Sequence, residues 1–175
     1  AICYERACMF ARAADLLFST REPRRMERAA ELYLKAGATV SAANIFDVLG
    51  WFETSINTLL SKREVDEALI RLNSDAYSSA LASSTELRKL RQRAVRLGVR
   101  EVKRVMQQGT GSVLPPSRSA DTTMDLIIRA TYSYEEQVAL LVESGCTRKL
   151  AEKLVEHGEH RRAVHVLMDG GEHMA

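Results

Sequence analysis

The 175-residue chain contains no run of eighteen apolar residues, which excludes a membrane-spanning helix. Cysteine is scarce, with only Cys3, Cys8 and Cys146. An odd count in apolar helical surroundings argues against a disulfide framework and for a reducing compartment. The formal net charge is only +2, too small a bias to name nucleic acid as a partner. The catalytic fingerprints are missing too: no GxxxxGK[ST] loop, no GxGxxG after a strand, no GxSxG elbow and no HExxH. The chain is therefore expected not to be an enzyme and to need no cofactor. Strand signals are thin, since sustained period-two alternation is lacking and Asp169-Gly170 is the one hairpin-type dipeptide. The opening residues, Ala1-Ile2-Cys3-Tyr4-Glu5-Arg6, have neither the basic leader nor the continuous apolar stretch of a signal peptide. They begin in mid-amphipathic pattern, so the chain reads as a piece of something longer.

What is present is helical and repetitive. Hydrophobic residues make up 46% of the chain and charged residues 27%, the balance of an ordinary folded protein. A chain of this length can bury roughly 70% of its unfolded surface without a metal or disulfide. Aromatic residues fall at Tyr4, Phe18, Tyr33 and Phe46, and the phrases Ala14-x3-Phe18, Ala29-x3-Tyr33 and Ala42-x3-Phe46 recur around three of them. Ala151-x3-Val155 and Ala163-x3-Leu167 echo them late in the chain. Residues four apart share a helix face, so each phrase sets a small residue beside a large one. Gly37, Gly50, Gly145, Gly158 and Gly170 each follow an apolar helical pattern, where a left-handed residue is wanted. Ser61-x-x-Glu64, Ser83-x-x-Glu86 and Ser133-x-x-Glu136 have the form of capping boxes at helix starts.

These signals place helices at about 2–19, 24–36, 39–49, 51–60, 64–73, 75–82, 85–108, 121–132, 134–144, 147–157 and 160–168. The fold class is all-α, a right-handed α-solenoid of short antiparallel helix pairs. Residues 109–120 hold two glycines, two prolines and three serines, which cannot continue a helix. They divide a helical-repeat segment, 1–108, from a second helical segment, 121–175. The segment reads as a connector; Ser117 and Ser119 beside Arg118 give it a second reading as a phosphorylation or docking segment.

Some phrases resemble a known family. Ala29-x3-Tyr33-x2-Ala36 is similar to the second helix of a tetratricopeptide repeat, and Tyr4-x2-Ala7 to the tail of another. Residues 2–7 and 30–37 resemble phrases found in tetratricopeptide-like tails of intraflagellar-transport and vesicle-coat subunits. Similar phrases occur in the helical repeats of tetratricopeptide-and-ankyrin helicases. The first-helix signature Trp-x2-Leu-Gly-x2-Tyr is missing, Trp51-Phe52-Glu53-Thr54 does not supply it, and there is no 34-residue period. The resemblance therefore points to the irregular short-helix solenoids of large assemblies. It implies a non-enzymatic, cytoplasmic scaffold, ciliary or vesicle-associated, whose partners are other protein subunits. The alternative it implies is an accessory module of a helicase or ribonucleoprotein.

Three clusters carry the chemistry worth weighing. On the helix at 85–108, Lys89, Arg93, Arg96, Arg100, Lys103 and Arg104 fall within an arc of about 100°. Glu86 and Glu101 alone offset them. Such a stripe suits a protein partner, the phosphates of a nucleic acid, or solvent. No aromatic is interleaved for base stacking. An anionic membrane surface would want Trp or Phe on the apolar side, and neither is there. His157, His160, His165 and Cys146 lack the spacing of a zinc site, because Gly158 interrupts the helix, so no metal is expected. Cys146 sits near a helix start, where its thiolate would gain some stabilisation. Trp51-Phe52 is expected to be buried as the anchor of a turn; if exposed, it would be a contact hot spot.

Overall fold

Five times among the described residues a helix ends in the same three-residue turn. The computed structural model describes residues 1–6, 8–108 and 120–169. They form α1 (Ile2–Arg6), α2 (Phe10–Phe18), α3 (Pro23–Lys35), α4 (Thr39–Val48), α5 (Phe52–Ser61), α6 (Val65–Leu72), α7 (Asp75–Ser83), α8 (Thr85–Gln108), α9 (Ala120–Arg129), α10 (Tyr134–Ser144), α11 (Thr147–Glu156) and α12 (His160–Asp169). Among the described residues there is no strand.

The turn is a Schellman motif. After α4, the Gly50 N–H donates to the Asp47 carbonyl at 3.0 Å and the Trp51 N–H to the Phe46 carbonyl at 2.8 Å. Gly50 itself is left-handed, with φ of 76°. The same pair of bonds closes α3 at Gly37, α5 at Arg63, α10 at Gly145 and α11 at Gly158. All five central residues have positive φ, and they lie thirteen residues apart within each run. The motif absorbs carbonyls that a helix end would leave without partners, and it reverses the chain within three residues. Its exit residue is also constant: Ala38, Trp51, Glu64 and Cys146 have φ between −91° and −80° and ψ between 59° and 69°. Five of the described helices are ten residues long.

This regularity fixes which residues go inside. The fourth residue beyond the exit is small and fully enclosed in Ala42, Ser55 and Ala68, and nearly so in Ala163. Four residues further on, Phe46, Leu59 and Leu72 are buried. A small side chain lets the next helix approach, and the bulky one fills the space beside it. The Ala42-x3-Phe46 phrase is thus a true core pair. Two of the other phrases are shifted by one residue. In α2 the buried register is Ala13 with half-buried Leu17, and Phe18 stays 39% exposed; in α11 it is Leu150 and Leu154, with Val155 49% exposed.

The expected helix 2–19 is broken. Cys8 adopts φ of 56° and the Met9 N–H donates to the Tyr4 carbonyl at 2.8 Å, so a left-handed turn separates α1 from α2. Of the three expected capping boxes, only Ser133 caps, accepting the Glu136 N–H. Ser61 is the last residue of α5 and donates back to the Thr58 carbonyl. Ser83 likewise closes α7, and its neighbour Ser84 accepts the Leu87 N–H at 3.0 Å. A serine in the last helical turn finds carbonyls already in reach and donates to them.

The chain packs as two compact units, Ala1–Ala94 and Val95–Ala175, with the seam inside α8. The glycine- and proline-bearing stretch at 109–119, with Ser117, Arg118 and Ser119, lies outside the described residues, as does Gly170. In unit 1 the core runs from Ala13, Ala14, Met26, Ala29, Ala30 and Leu32 through Ile45 and Phe46 to Ile56, Leu59, Leu69 and Leu87. Its densest packing joins consecutive helices, α2 with α3, α3 with α4 and α4 with α5. In unit 2, α11 and α12 pack in the same way, and Val99, Val102, Met124, Ile127, Leu141 and Leu154 are buried.

Arg63 is the one non-glycine centre among the five turns. A side chain in the left-handed region crowds its own carbonyl, at a cost of about 1 kcal/mol. Arg63→Gly should therefore raise the unfolding free energy by about 1 kcal/mol, read as a higher midpoint in urea. An unchanged or lower midpoint would show that unfolded-state entropy outweighs the relief.

Candidate interaction surface

α8 stays one unbroken helix because it contains no proline and keeps an apolar stripe throughout. Leu87, Leu90, Ala94, Val95, Val99 and Val102 are buried along one side. Lys89, Arg93, Arg96, Arg100, Lys103 and Arg104 are all exposed on the other. Lys89 pairs with Glu86 at 3.1 Å. The remaining five make no ion pair among the described residues.

In unit 1, Arg93 belongs to a shallow groove. One hollow of about 310 Å³ lies between Gly50–Thr54 on the α5 side and Ala80, Ser83, Ser84 and Leu87 on the other. It shares Glu53 and Thr54 with a second hollow of about 310 Å³, which reaches Asn57, Thr58, Glu86, Leu90 and Arg93. The Ser84 hydroxyl donates to the Glu53 carboxylate at 2.5 Å, tying the cap of α8 to the first turn of α5.

Trp51 stands at this groove and is 43% exposed, which corrects the expectation of burial. The reason is its place in the turn. The exit residue of a Schellman motif packs on the residue five before it, and the Trp51 ring stacks on Phe46 with centroids 6.1 Å apart and planes 18° apart. One ring face closes the turn and the rest meets solvent. Phe52 is half-buried, with its ring edge-on to Tyr77 at 4.7 Å. Trp51 and Phe52 thus share the groove with Arg93, a meeting that their distance in sequence did not suggest.

A polar bridge links α4 to α6 and α7. The Arg71 guanidinium on α6 donates to the carboxylate of Asp47 and, at 2.6 Å, to the Asn44 side chain, both on α4. The Tyr77 hydroxyl on α7 donates to the same carboxylate. Burial and then the bond to Asp47 push the Tyr77 hydroxyl well above its ordinary range. In the first helices the Tyr33 hydroxyl donates to Asp15, and burial with that bond pushes it up to about 12.

Unit 2 holds the histidines. His157 stacks on the Tyr134 ring at 3.6 Å, and the Tyr134 hydroxyl donates to Glu159 at 2.7 Å. His160 is exposed, and His165 pairs with Asp169 at 2.7 Å. Among the described residues no three of His, Cys, Asp and Glu converge on a point where a metal could sit; His173 lies outside them. Cys146 corrects another expectation. It is the buried exit residue of a turn, and burial pushes its thiol up, the opposite of an activated thiolate.

No family model, curated protein or solved structure matches this chain.

Proposed function

We propose that this chain is a non-enzymatic protein-interaction segment, a right-handed α-solenoid that holds subunits of a large cytoplasmic assembly. The observation that carries this reading is the repeated turn. Five reversals closed by the same pair of bonds join helices of 8 to 13 residues with a recurring buried register. A chain assembled this way gains surface along one direction, and each added helix presents a fresh outer face. The exposed Trp51 in its groove and the cationic face of α8 are features such a surface uses for contact. The tetratricopeptide-like phrases around Tyr4 and Tyr33 lend the reading a kind of assembly, that of intraflagellar-transport or coat subunits.

Affinity capture of the protein from its own cells at moderate salt, with and without nuclease, tests this. A fixed set of protein subunits in constant ratio, indifferent to nuclease, is the expected result. An eluate dominated by nucleic acid and emptied by nuclease would overturn it in favour of a helicase or ribonucleoprotein module.

A further inference from the structure

We propose that Arg96, Arg100, Lys103 and Arg104, the part of the α8 face within unit 2, form a docking surface for an acidic helix of a partner protein. The inference rests on the interaction-segment reading and names the class of partner for one of its faces. The four residues advance by steps of four, three and one, which spreads them over about 12 Å of helix and about a quarter of its circumference. All four are exposed. Val95, Gly98, Val99 and Val102 hold the opposite side of the helix in the core, so the cations stand on a fixed rod.

Among the described residues no carboxylate pairs with this charge. Several other cations of unit 2 meet the chain's own carboxylates: Lys149 with Asp125 at 2.5 Å, Arg148 with Glu152 at 3.3 Å, and Lys153 with Glu156 at 3.1 Å. The four residues of the face have no such partner among the described residues. Glu101, the one carboxylate in this stretch, lies at the edge of the face, about 60° round from Arg104 and about 100° or more from the other three. Arg96 and Arg100, and Arg100 and Arg104, are like charges one turn apart, an arrangement that weakens a helix standing alone. A row of carboxylates laid along the face would turn that repulsion into attraction, with the arginine forks suited to paired oxygens.

The surroundings favour protein over nucleic acid. α8 contains no Phe, Tyr or Trp on which a base could stack. Half-buried Leu97 and exposed Met106 border the face on opposite sides and offer apolar area to a partner's aliphatic side chains. Carboxylates at three- and four-residue spacing on a second helix match the step between the cations.

The test is a binding titration with the full chain and a fluorescent synthetic helix bearing four glutamates on one face of an Ala/Leu frame. An oligothymidylate of equal charge is the rival probe. Three variants are compared: Arg96→Glu/Arg100→Glu/Arg104→Glu, the same three positions changed to Gln, and a control, Arg129→Glu/Arg148→Glu/Arg161→Glu, with the same change in net charge as the first. Circular dichroism checks that helix content is kept, and the milder Gln variant serves if the Glu variant unfolds. The peptide's Kd should rise about 30-fold in the first variant, less in the Gln variant, and no more than about 3-fold in the control. Equal losses in variant and control would reduce the effect to general charge and overturn the proposal. Tighter binding of the oligonucleotide, lost through the same residues, would reassign the face to nucleic acid. If the captured subunits stay with the reversed chain and the peptide does not bind, the interaction-segment reading stands and this face is not its contact.

Discussion

Asp47→Ala should lower the stability of unit 1 by about 3 kcal/mol. Asp47 sits in the last turn of α4 and receives bonds from both Arg71 on α6 and Tyr77 on α7. The two charged side chains keep only 13% and 21% of their surface in water, so each relies on the other for solvation. Removing the carboxylate leaves the guanidinium with Asn44 alone, and its buried Nε already lacks a partner. A fully sealed pair would cost more when broken; the remaining exposure of Asp47 trims the figure toward the lower end. Urea midpoints of wild type, Asp47→Ala, Arg71→Ala and the double variant should show strong coupling. Additive losses would mean that the bridge contributes little.

The same substitution has a pH signature. The Tyr77 hydroxyl is raised in the folded protein, so the stability it confers is whole below its unfolded value near 10 and is lost as pH climbs beyond it. Without Asp47 part of that raise is gone. The deficit of the variant against wild type should therefore narrow above about pH 10. A deficit constant with pH would assign the effect to Arg71 alone.

Leu59→Ala should cost unit 1 about 3 kcal/mol, within the range of about 2–5 for a fully buried leucine cut to alanine. Leu59 is fully enclosed, and it occupies the bulky position of the repeat that Phe46 and Leu72 hold in the neighbouring helices. Its carbonyl also accepts the Glu64 N–H at 2.9 Å, so the cavity would open at the foot of the α5–α6 turn. The backbone there is held by the paired bonds of the motif, which leaves the site little room to collapse. The loss would appear as a lower urea midpoint. Val48→Ala, an exposed position in the preceding helix, should shift the midpoint by no more than about 0.5 kcal/mol. Similar losses at Leu59 and Val48 would deny that the buried register organises the unit.

Most helices were legible because each is written by an apolar stripe and a stop. Gly37, Gly50, Gly145 and Gly158 marked four turns correctly, since glycine is the residue that reaches the left-handed region without crowding. Arg63 and Cys8 adopt the same conformation without a glycine to announce it. The first was hidden within an expected capping box and the second within one long expected helix. Trp51 misled because a large aromatic after a glycine reads as core, whereas the motif needs only one of its faces. The exposed cations of α8 were plain from helical phase, yet the groove joining Arg93 to Trp51 was not. It depends on residues of α5, α7 and α8 meeting in space. The bridge from Asp47 to Arg71 and Tyr77 is of that kind too: an ordinary Asp, Arg and Tyr, each unremarkable in sequence, brought together from α4, α6 and α7.

The thirteen-residue unit restricts how such a chain can change length. One unit is a helix and a reversal, so inserting or deleting a single unit would turn every later helix end for end. Two units, twenty-six residues, would restore direction as well as register. A one-residue slip inside a helix would swing everything beyond it by about 100°, carrying the small and bulky positions off the core. α3, with thirteen residues of its own, is where the measure is stretched. Growth by duplication in this architecture would thus come in paired helices, and single-residue length changes would be confined to stretches where the count is already broken.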